Sequence, residues 1–306
     1  MRFRLEDLID PRLSSLVDET RDFYTDRPAG RGPSGPEELR ALRARAGAQA
    51  AKAGSPPLSV DEELVRSGGH EVALRIHRPG AGPARGVFLE MHGGGFYMGS
   101  AAAGDVRNRG LADALGFAVV SVDYRLAPEH PWPAAPDDCE AAALWLAENA
   151  EDRFGTGRLA VGGFSAGATL AMTTLLRLRD RGTHAFGAAV LQFGTYDLSG
   201  QTPAGRLIAD EYFLEAYAGQ APDRTRPDIS PVYADMRGLP PTLVVVGEDD
   251  ILLQDNLAMA TRLSAAGVDV DLRVYPGAPH GFTAHPTPMA NAARDDMEAW
   301  LRDGPG

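Results

Sequence analysis

The chain of 306 residues carries a single cysteine, Cys139, and a single lysine, Lys52. One cysteine cannot close an intramolecular disulfide, so a disulfide-stapled scaffold is excluded and a reducing, cytoplasmic setting is expected. Its surroundings, "DDCEAAALWLAE", read as a helix in which the thiol serves as a small buried apolar group rather than a reactive one. The near-absence of lysine, beside abundant alanine, glycine and proline, fits a GC-rich coding bias and carries no mechanism. No run approaches the roughly 18 apolar residues that a membrane span requires. The opening "MRFRLEDLID" is charged throughout and lacks the apolar core of a secretory signal, so none is expected. Positive charge is also in deficit: 30 Lys and Arg against 42 Asp and Glu give a net charge of −12. Nucleic acid and anionic membrane surfaces select for basic patches, so neither is an expected partner.

What is present is ordinary globular material, 44% hydrophobic and 24% charged, with length enough for one large core. Residues 1–55 read as a polar helical segment, with apolar positions at helical spacing in "PEELRALRARAGAQAAKAG". The two prolines of "SPPLSV" break that pattern, and residues 56–306 form the main domain. Strands are expected in "EVALRIHRP", "RGVFLEMHG", "FAVVSVDY", "RLAVGGF", "AAVLQFG", "PTLVVVGE" and "VDLRVYPG". The central ones are continuous valine-rich runs, as in parallel strands buried on both faces. Helices are expected between them in "DVRNRGLADALG", "PDDCEAAALWLAENA", "AGATLAMTTLLRLRDRG" and "DNLAMATRLSAAG", and at the end in "MANAARDDMEAWLRD". This alternation predicts an α/β sheet with helices on both faces. An additional aromatic-bearing helix is expected over 206–220.

"GFSAG" places Ser165 where a buried strand meets the longest helix. A strand-to-helix turn of G-x-S-x-G pattern forces its central residue into a strained backbone and lifts the side chain above the sheet edge. Glycine-rich turns also cradle phosphates, but the G-x-G-x-x-G and Walker spacings are absent. Upstream, "MHGGGFYMGS" carries three consecutive glycines directly after a strand. Glycine weakens regular structure, so such a run is better explained by backbone N–H groups converging on one point, as an oxyanion hole requires. Gly93 and Gly94 are the expected donors, joined by the Ala166 amide at the start of the following helix. His92 is expected to organise that loop.

A serine hydroxyl needs a base to take its proton, and the base needs a carboxylate to orient it. Two strand ends supply candidates: "VVVGEDDILLQDN" and "YPGAPHGF". His280 is favoured as the base over His285, and Asp250 as the acid over Asp249, with Glu248 and Asp255 also near. Asp255 suits the first turn of a helix equally well. The order Ser…Asp…His is that of α/β-hydrolases.

In this order, "HGGGFYMGS", "DYRLAPEHPWPAAPDD", "GFSAG", "EDDILLQD" and "HGF" resemble the hormone-sensitive-lipase family of α/β-hydrolase esterases, over residues 60–303. The resemblance implies the α/β-hydrolase fold: an eight-stranded, mostly parallel sheet with helices on both faces and an N-terminal helical cap. It also implies acyl-enzyme ester hydrolysis without metal or organic cofactor. By the same likeness Ser165, Asp250 and His280 form the triad, and Gly93, Gly94 and Ala166 the oxyanion donors. Phe164, Ala168 and Ile251 depart from residues common in the family. "YRLAPEHPWPAAPDD" reads as scaffold, with Arg125, Glu129 and the prolines shaping a loop beneath the oxyanion region.

The expected substrate is a small-molecule ester, with water as the second reactant; homo-oligomerisation is left open. The N-terminal segment and the 206–220 helix can form a cap bearing Tyr212, Phe213 and Tyr217, with Phe96, Tyr97 and Leu252 as further pocket residues. Neither cap segment has the long apolar face of a lipid-interface lid, which favours short- to medium-chain acyl esters. Two other readings stand beside this one: an amidase or deacetylase of a small metabolite using the same triad, and a hydrolase-like receptor that binds without turnover.

Overall fold

The apolar runs become strands of one eight-stranded sheet in the computed structural model, which describes residues 4–27, 32–53 and 60–304. The strands are β1 Asp61–Ser67, β2 His70–His77, β3 Val87–Met91, β4 Ala118–Val122, β5 Leu159–Phe164, β6 Phe186–Gln192, β7 Thr242–Gly247 and β8 Val270–Tyr275. They lie in the order β1-β2-β4-β3-β5-β6-β7-β8. β2 runs antiparallel to both neighbours, and every pairing from β4 to β8 is parallel. Each residue of β3, β4 and β7 is buried, which is why these strands are mostly apolar on both faces rather than alternating; buried Glu90 and Ser121 of β3 and β4 satisfy each other by a hydrogen bond.

Four helices cross over between parallel strands: α3 Asp105–Leu115, α4 Ala134–Phe154, α5 Ala166–Asp180 and α8 Leu253–Ala265; α9 Pro288–Asp303 closes the chain. Two apolar layers separate cleanly. Leu89 and Val120 face a layer shared with Cys139, Leu146, Leu170 and Met259 of α4, α5 and α8. Phe88 and Val119 face the layer of Leu115, Met297 and Trp300 from α3 and α9. Cys139 is a buried free thiol.

Two elements differ from the sequence reading. β1 was not among the seven expected strands because "DEELVRS" is largely charged and exposed. It is the edge of the sheet, where water-facing charge blocks further pairing. Its signal was the turn instead: Gly68 and Gly69 both take positive φ, 55° and 89°, the backbone that a tight hairpin requires.

The helix expected over 206–220 is two shorter ones, α6 Pro203–Arg206 and α7 Tyr212–Ala218. A continuous helix at 3.6 residues per turn would place Ile208 and Tyr217 about 180° apart. Both are buried, and the extended backbone at Glu211, φ −75° and ψ 130°, lets the chain turn so that both face inward.

The excursion between β6 and β7, residues 193–241, is tied at its base. The Val232 amide donates to the Tyr196 carbonyl at 3.1 Å, and the Leu198 amide to Ser230 Oγ at 2.9 Å.

At the N-terminus, two short 3₁₀ turns and α1 Val17–Thr25 pack through Leu13, Leu16 and Val17 against the α9 layer. α2 Pro36–Ala53 reaches the opposite layer through Leu39. No helix among the described residues is long and apolar enough to cross a membrane.

Candidate active site

Ser165 follows the last residue of β5 and caps α5, with φ 54° and ψ −124°. A serine in that region stores strain that only surrounding bonds can hold. Its amide donates to the Gln192 carbonyl at 2.9 Å, and its own carbonyl accepts from Ala168 and Thr169. The flanking glycines are there for room. A Cβ on Gly163 would enter the Met91 carbonyl and the Gly167 backbone, and one on Gly167 the carbonyls of Met91 and His92. α5 therefore starts in direct backbone contact with the end of β3.

Three distant segments meet at the serine. His280, in the turn after β8, accepts the Ser165 hydroxyl at Nε2, 3.0 Å away. Its Nδ1–H donates to Asp250 Oδ2 at 3.0 Å and Oδ1 at 3.1 Å. The Asp250 carboxylate is fully buried, whereas a third of the imidazole is exposed. Oδ1 also accepts the Leu252 amide at 2.8 Å, fixing the carboxylate from its far side. The order of groups is therefore a buried anion, a partly exposed imidazole and a hydroxyl.

The competing candidates go elsewhere. Glu248 accepts the Gly277 amide, Asp249 is exposed, and Asp255 is buried in the first turn of α8, accepting the Tyr196 and Asp197 amides. Burial pushes the Asp255 carboxyl up to about 6. His285 pairs with the Tyr24 hydroxyl at 2.7 Å and lies against Phe23.

The triple-glycine loop passes over the same turn. A Cβ on Gly93 would meet the Phe164 ring and carbonyl within 2.7 Å, so this loop lies against the residue preceding the serine. Gly94 has φ 122°, and its carbonyl accepts from Tyr97 and Met98. Ala166 is the first residue of α5, so its N–H has no acceptor within the helix. His92 stacks on Tyr124 with centroids 4.1 Å apart and donates from Nδ1 to the Gly93 carbonyl at 2.9 Å. Burial holds its pKa below the ordinary value, so the ring stays neutral as a structural donor.

The aromatic residues form one cluster beside this loop. Phe96 is fully buried and stacks on Tyr217 with ring centroids 3.9 Å apart. Tyr97 packs against Tyr212 and Phe213, both half-buried, and burial pushes its phenol up to about 12. Leu252 is buried beside Asp250. The "YRLAPEHPWPAAPDD" stretch backs the cluster. The Ala127 amide donates to the Phe96 carbonyl and the Trp132 amide to the Tyr217 carbonyl, while Arg125 grips the buried Asp138 in a bidentate pair.

Three residues absent from the sequence reading bear on the site. Phe193 has φ 38° and sets its ring edge-on to His280 at 5.2 Å. Asn256 takes both the amide and carbonyl of Gly194, fixing the residue after Phe193. Arg107 lies 4.5 Å over the Phe164 ring while pairing with the buried Glu90. Phe193 and Arg107 belong to no spaced motif, and Asn256, although it ends the stretch "VVVGEDDILLQDN", carries no local signal of its bond to Gly194.

Residues 88–284 match the family described as alpha/beta hydrolase fold. The carboxylic ester hydrolase LipN of Mycobacterium tuberculosis is 33% identical over 293 residues, 90% of this chain and 77% of its own. The ethyl acetate hydrolase of Pseudomonas putida is 35% identical over 250 residues, 76% of this chain and 78% of its own. Among solved structures, a hyperthermophilic esterase from the archaeon Pyrobaculum calidifontis superimposes with a TM-score of 0.81 at 30% identity, covering 96% of this chain and 98% of that one. A bacterial heroin esterase does so at 0.82 and 28% identity, covering 98% and 99%.

Proposed function

Since the chain belongs to the alpha/beta hydrolase fold family, among its carboxylic ester hydrolases of hormone-sensitive-lipase type, we propose that its ester hydrolysis runs through Ser165, His280 and Asp250. His280 Nε2 takes the Ser165 proton as Oγ attacks the ester carbonyl. Asp250 holds the imidazole with its proton on Nδ1 and stabilises the cation that forms. The amides of Gly93, Gly94 and Ala166 receive the oxyanion. The imidazolium then protonates the leaving alcohol, and water repeats the sequence to release the acid and free serine. The observation that carries this reading is the unbroken hydrogen-bonded line Asp250–His280–Ser165 ending on a positive-φ serine at a helix start.

The substrates are short- to medium-chain acyl esters, a reading supported by the aromatic cluster of Tyr97, Tyr212 and Phe213 packed beside the glycine loop. Residues 1–55 act as a cap segment, which is supported by Arg43 of α2 reaching the Tyr97 carbonyl. The single buried cysteine supports a cytoplasmic site of action.

The test is labelling with a fluorophosphonate and mapping the modified peptide. Modification of Ser165 is expected, abolished in Ser165→Ala and slowed in His280→Ala. Labelling at another residue of the folded protein would overturn the assignment. Matched ester and amide substrates complete it: a higher kcat/KM for the amide would replace the esterase reading with an amidase one.

A further inference from the structure

Arg43 stands on α2, outside every motif of the site, yet it makes four hydrogen bonds to the segments that frame the glycine loop. Nε donates to the Tyr97 carbonyl at 2.8 Å and Nη2 to the Ala127 carbonyl at 2.6 Å. Nη1 and Nη2 also take the two oxygens of Glu129 at 2.7 and 3.1 Å. That pair holds the Glu129 carboxyl below its ordinary pKa, the Arg43 hydrogen bond being the main cause.

The two carbonyls are not arbitrary. Tyr97 and Met98 donate back to the Gly94 carbonyl, closing the turn that starts at the second expected oxyanion donor, and Ala127 donates to the Phe96 carbonyl. Arg43 therefore grips the Tyr97–Met98 peptide directly and the Phe96–Tyr97 peptide through Ala127. This stretch needs holding from outside: Phe96 is strained at a φ of 61°, and Gly94, Gly95 and Gly99, at 122°, 58° and 92°, reach positive φ without steric cost but leave the backbone around it free to move. A backbone of that kind persists only where its surroundings over-determine it, and glycine contributes no side chain to help.

We infer that Arg43 is a positioning residue for the esterase reaction, a clasp that fixes the 94–98 turn and thereby the direction of the Gly93 and Gly94 amides. It also makes the seating of α2 and the competence of the glycine loop a single event. The inference rests on the esterase reading above. It requires the planar guanidinium fork rather than a charge, because an ammonium cannot meet two carbonyls and a bidentate carboxylate at once.

The test uses Arg43→Ala and Arg43→Lys in the full chain, with kcat expressed per active site titrated by fluorophosphonate. That normalisation removes any loss of folded enzyme, which a merely structural role would produce. Both variants are expected to lose about 10- to 100-fold in kcat, the scale of an ångström-sized misplacement, with little change in KM. Affinity for a trifluoromethyl ketone, whose adduct puts an oxyanion in the hole, falls in parallel. Millimolar guanidinium restores part of the Arg43→Ala rate and does nothing for the wild type. Per-site kcat within about twofold of wild type in both variants, well inside that expected loss, overturns the proposal. So does a loss that guanidinium leaves untouched while ketone affinity is unchanged. In either case the esterase reading stands as long as Ser165→Ala is inactive; an active Ser165→Ala sinks that reading instead.

Discussion

Replacing Asp255 with asparagine isolates one buried titration. One carboxylate oxygen accepts the Tyr196 and Asp197 amides, while the other has no partner among the described residues. Burial raises the carboxyl from 3.8 to about 6, overriding the two amide bonds that pull it down. A carboxyl that holds its proton more tightly in the folded chain than in the unfolded one adds stability that is complete below 3.8. That contribution declines as pH rises to 6 and is gone above it. The gap of roughly two pH units is about 3 kcal/mol. For a chain of 306 residues, at about 2 cal/mol/K of unfolding entropy per residue, that corresponds to about 5 °C in Tm. Asparagine keeps an acceptor for the two amides but puts an unpartnered N–H₂ where the free oxygen was, at about 1–3 kcal/mol independent of pH. Asp255→Asn is therefore less stable than wild type at pH 4, and the deficit closes or reverses by pH 7.5. The assay is Tm by near-UV circular dichroism for both proteins from pH 4 to 8. Subtraction cancels every other titrating group. A wild-type-minus-variant difference that stays flat across this range would refute the reasoning.

Two further substitutions test the frame of the site. In Gly94→Ala the new Cβ enters the Met98 carbonyl at a φ of 122°, so the turn must shift and per-site kcat falls by about 10²–10³, measured by steady-state hydrolysis of an activated acetate ester. Arg177 pairs with Asp228, Asp137 and Glu140 at 2.5–3.0 Å from a largely covered position. Arg177→Leu leaves Asp228 with only the Trp132 indole and Glu140 with only Arg181 and costs about 3 kcal/mol, the lower end for breaking a covered pair, read as a shift in the urea midpoint; adding Asp228→Leu recovers part of it.

The sheet's centre was legible because strands buried on both faces are mostly apolar along their length, and valine-rich runs announce themselves. Ser165 and the triple glycine were legible for the opposite reason: their composition suits no regular element, so only a special backbone explains it. β1 escaped because an edge strand faces water and looks like a loop, although the paired glycines after it pointed to a hairpin. The break at 207–211 escaped because helical spacing is a local property, and which of Ile208 and Tyr217 must be buried is decided by the rest of the fold. Arg43 and Phe193 could not be read at all. One is an arginine among many on a polar helix and the other a phenylalanine after a strand; each acquires its role only when a segment distant in the chain is packed against it.

The closed base of the excursion between β6 and β7 makes it a transplantable module. Tyr196 and Val232 meet at its neck, and Ser165, Asp250 and His280 follow the ends of β5, β7 and β8, outside it. A foreign segment spliced between 199 and 229 would begin and finish at neighbouring points, so its length is free. Provided it keeps an aromatic ring to stack on Phe96, as Tyr217 does now, and a carboxylate for Arg177 and the Trp132 indole, as Asp228 does now, such a chimera would change what packs beside the glycine loop while leaving Ser165, Asp250 and His280 where they are.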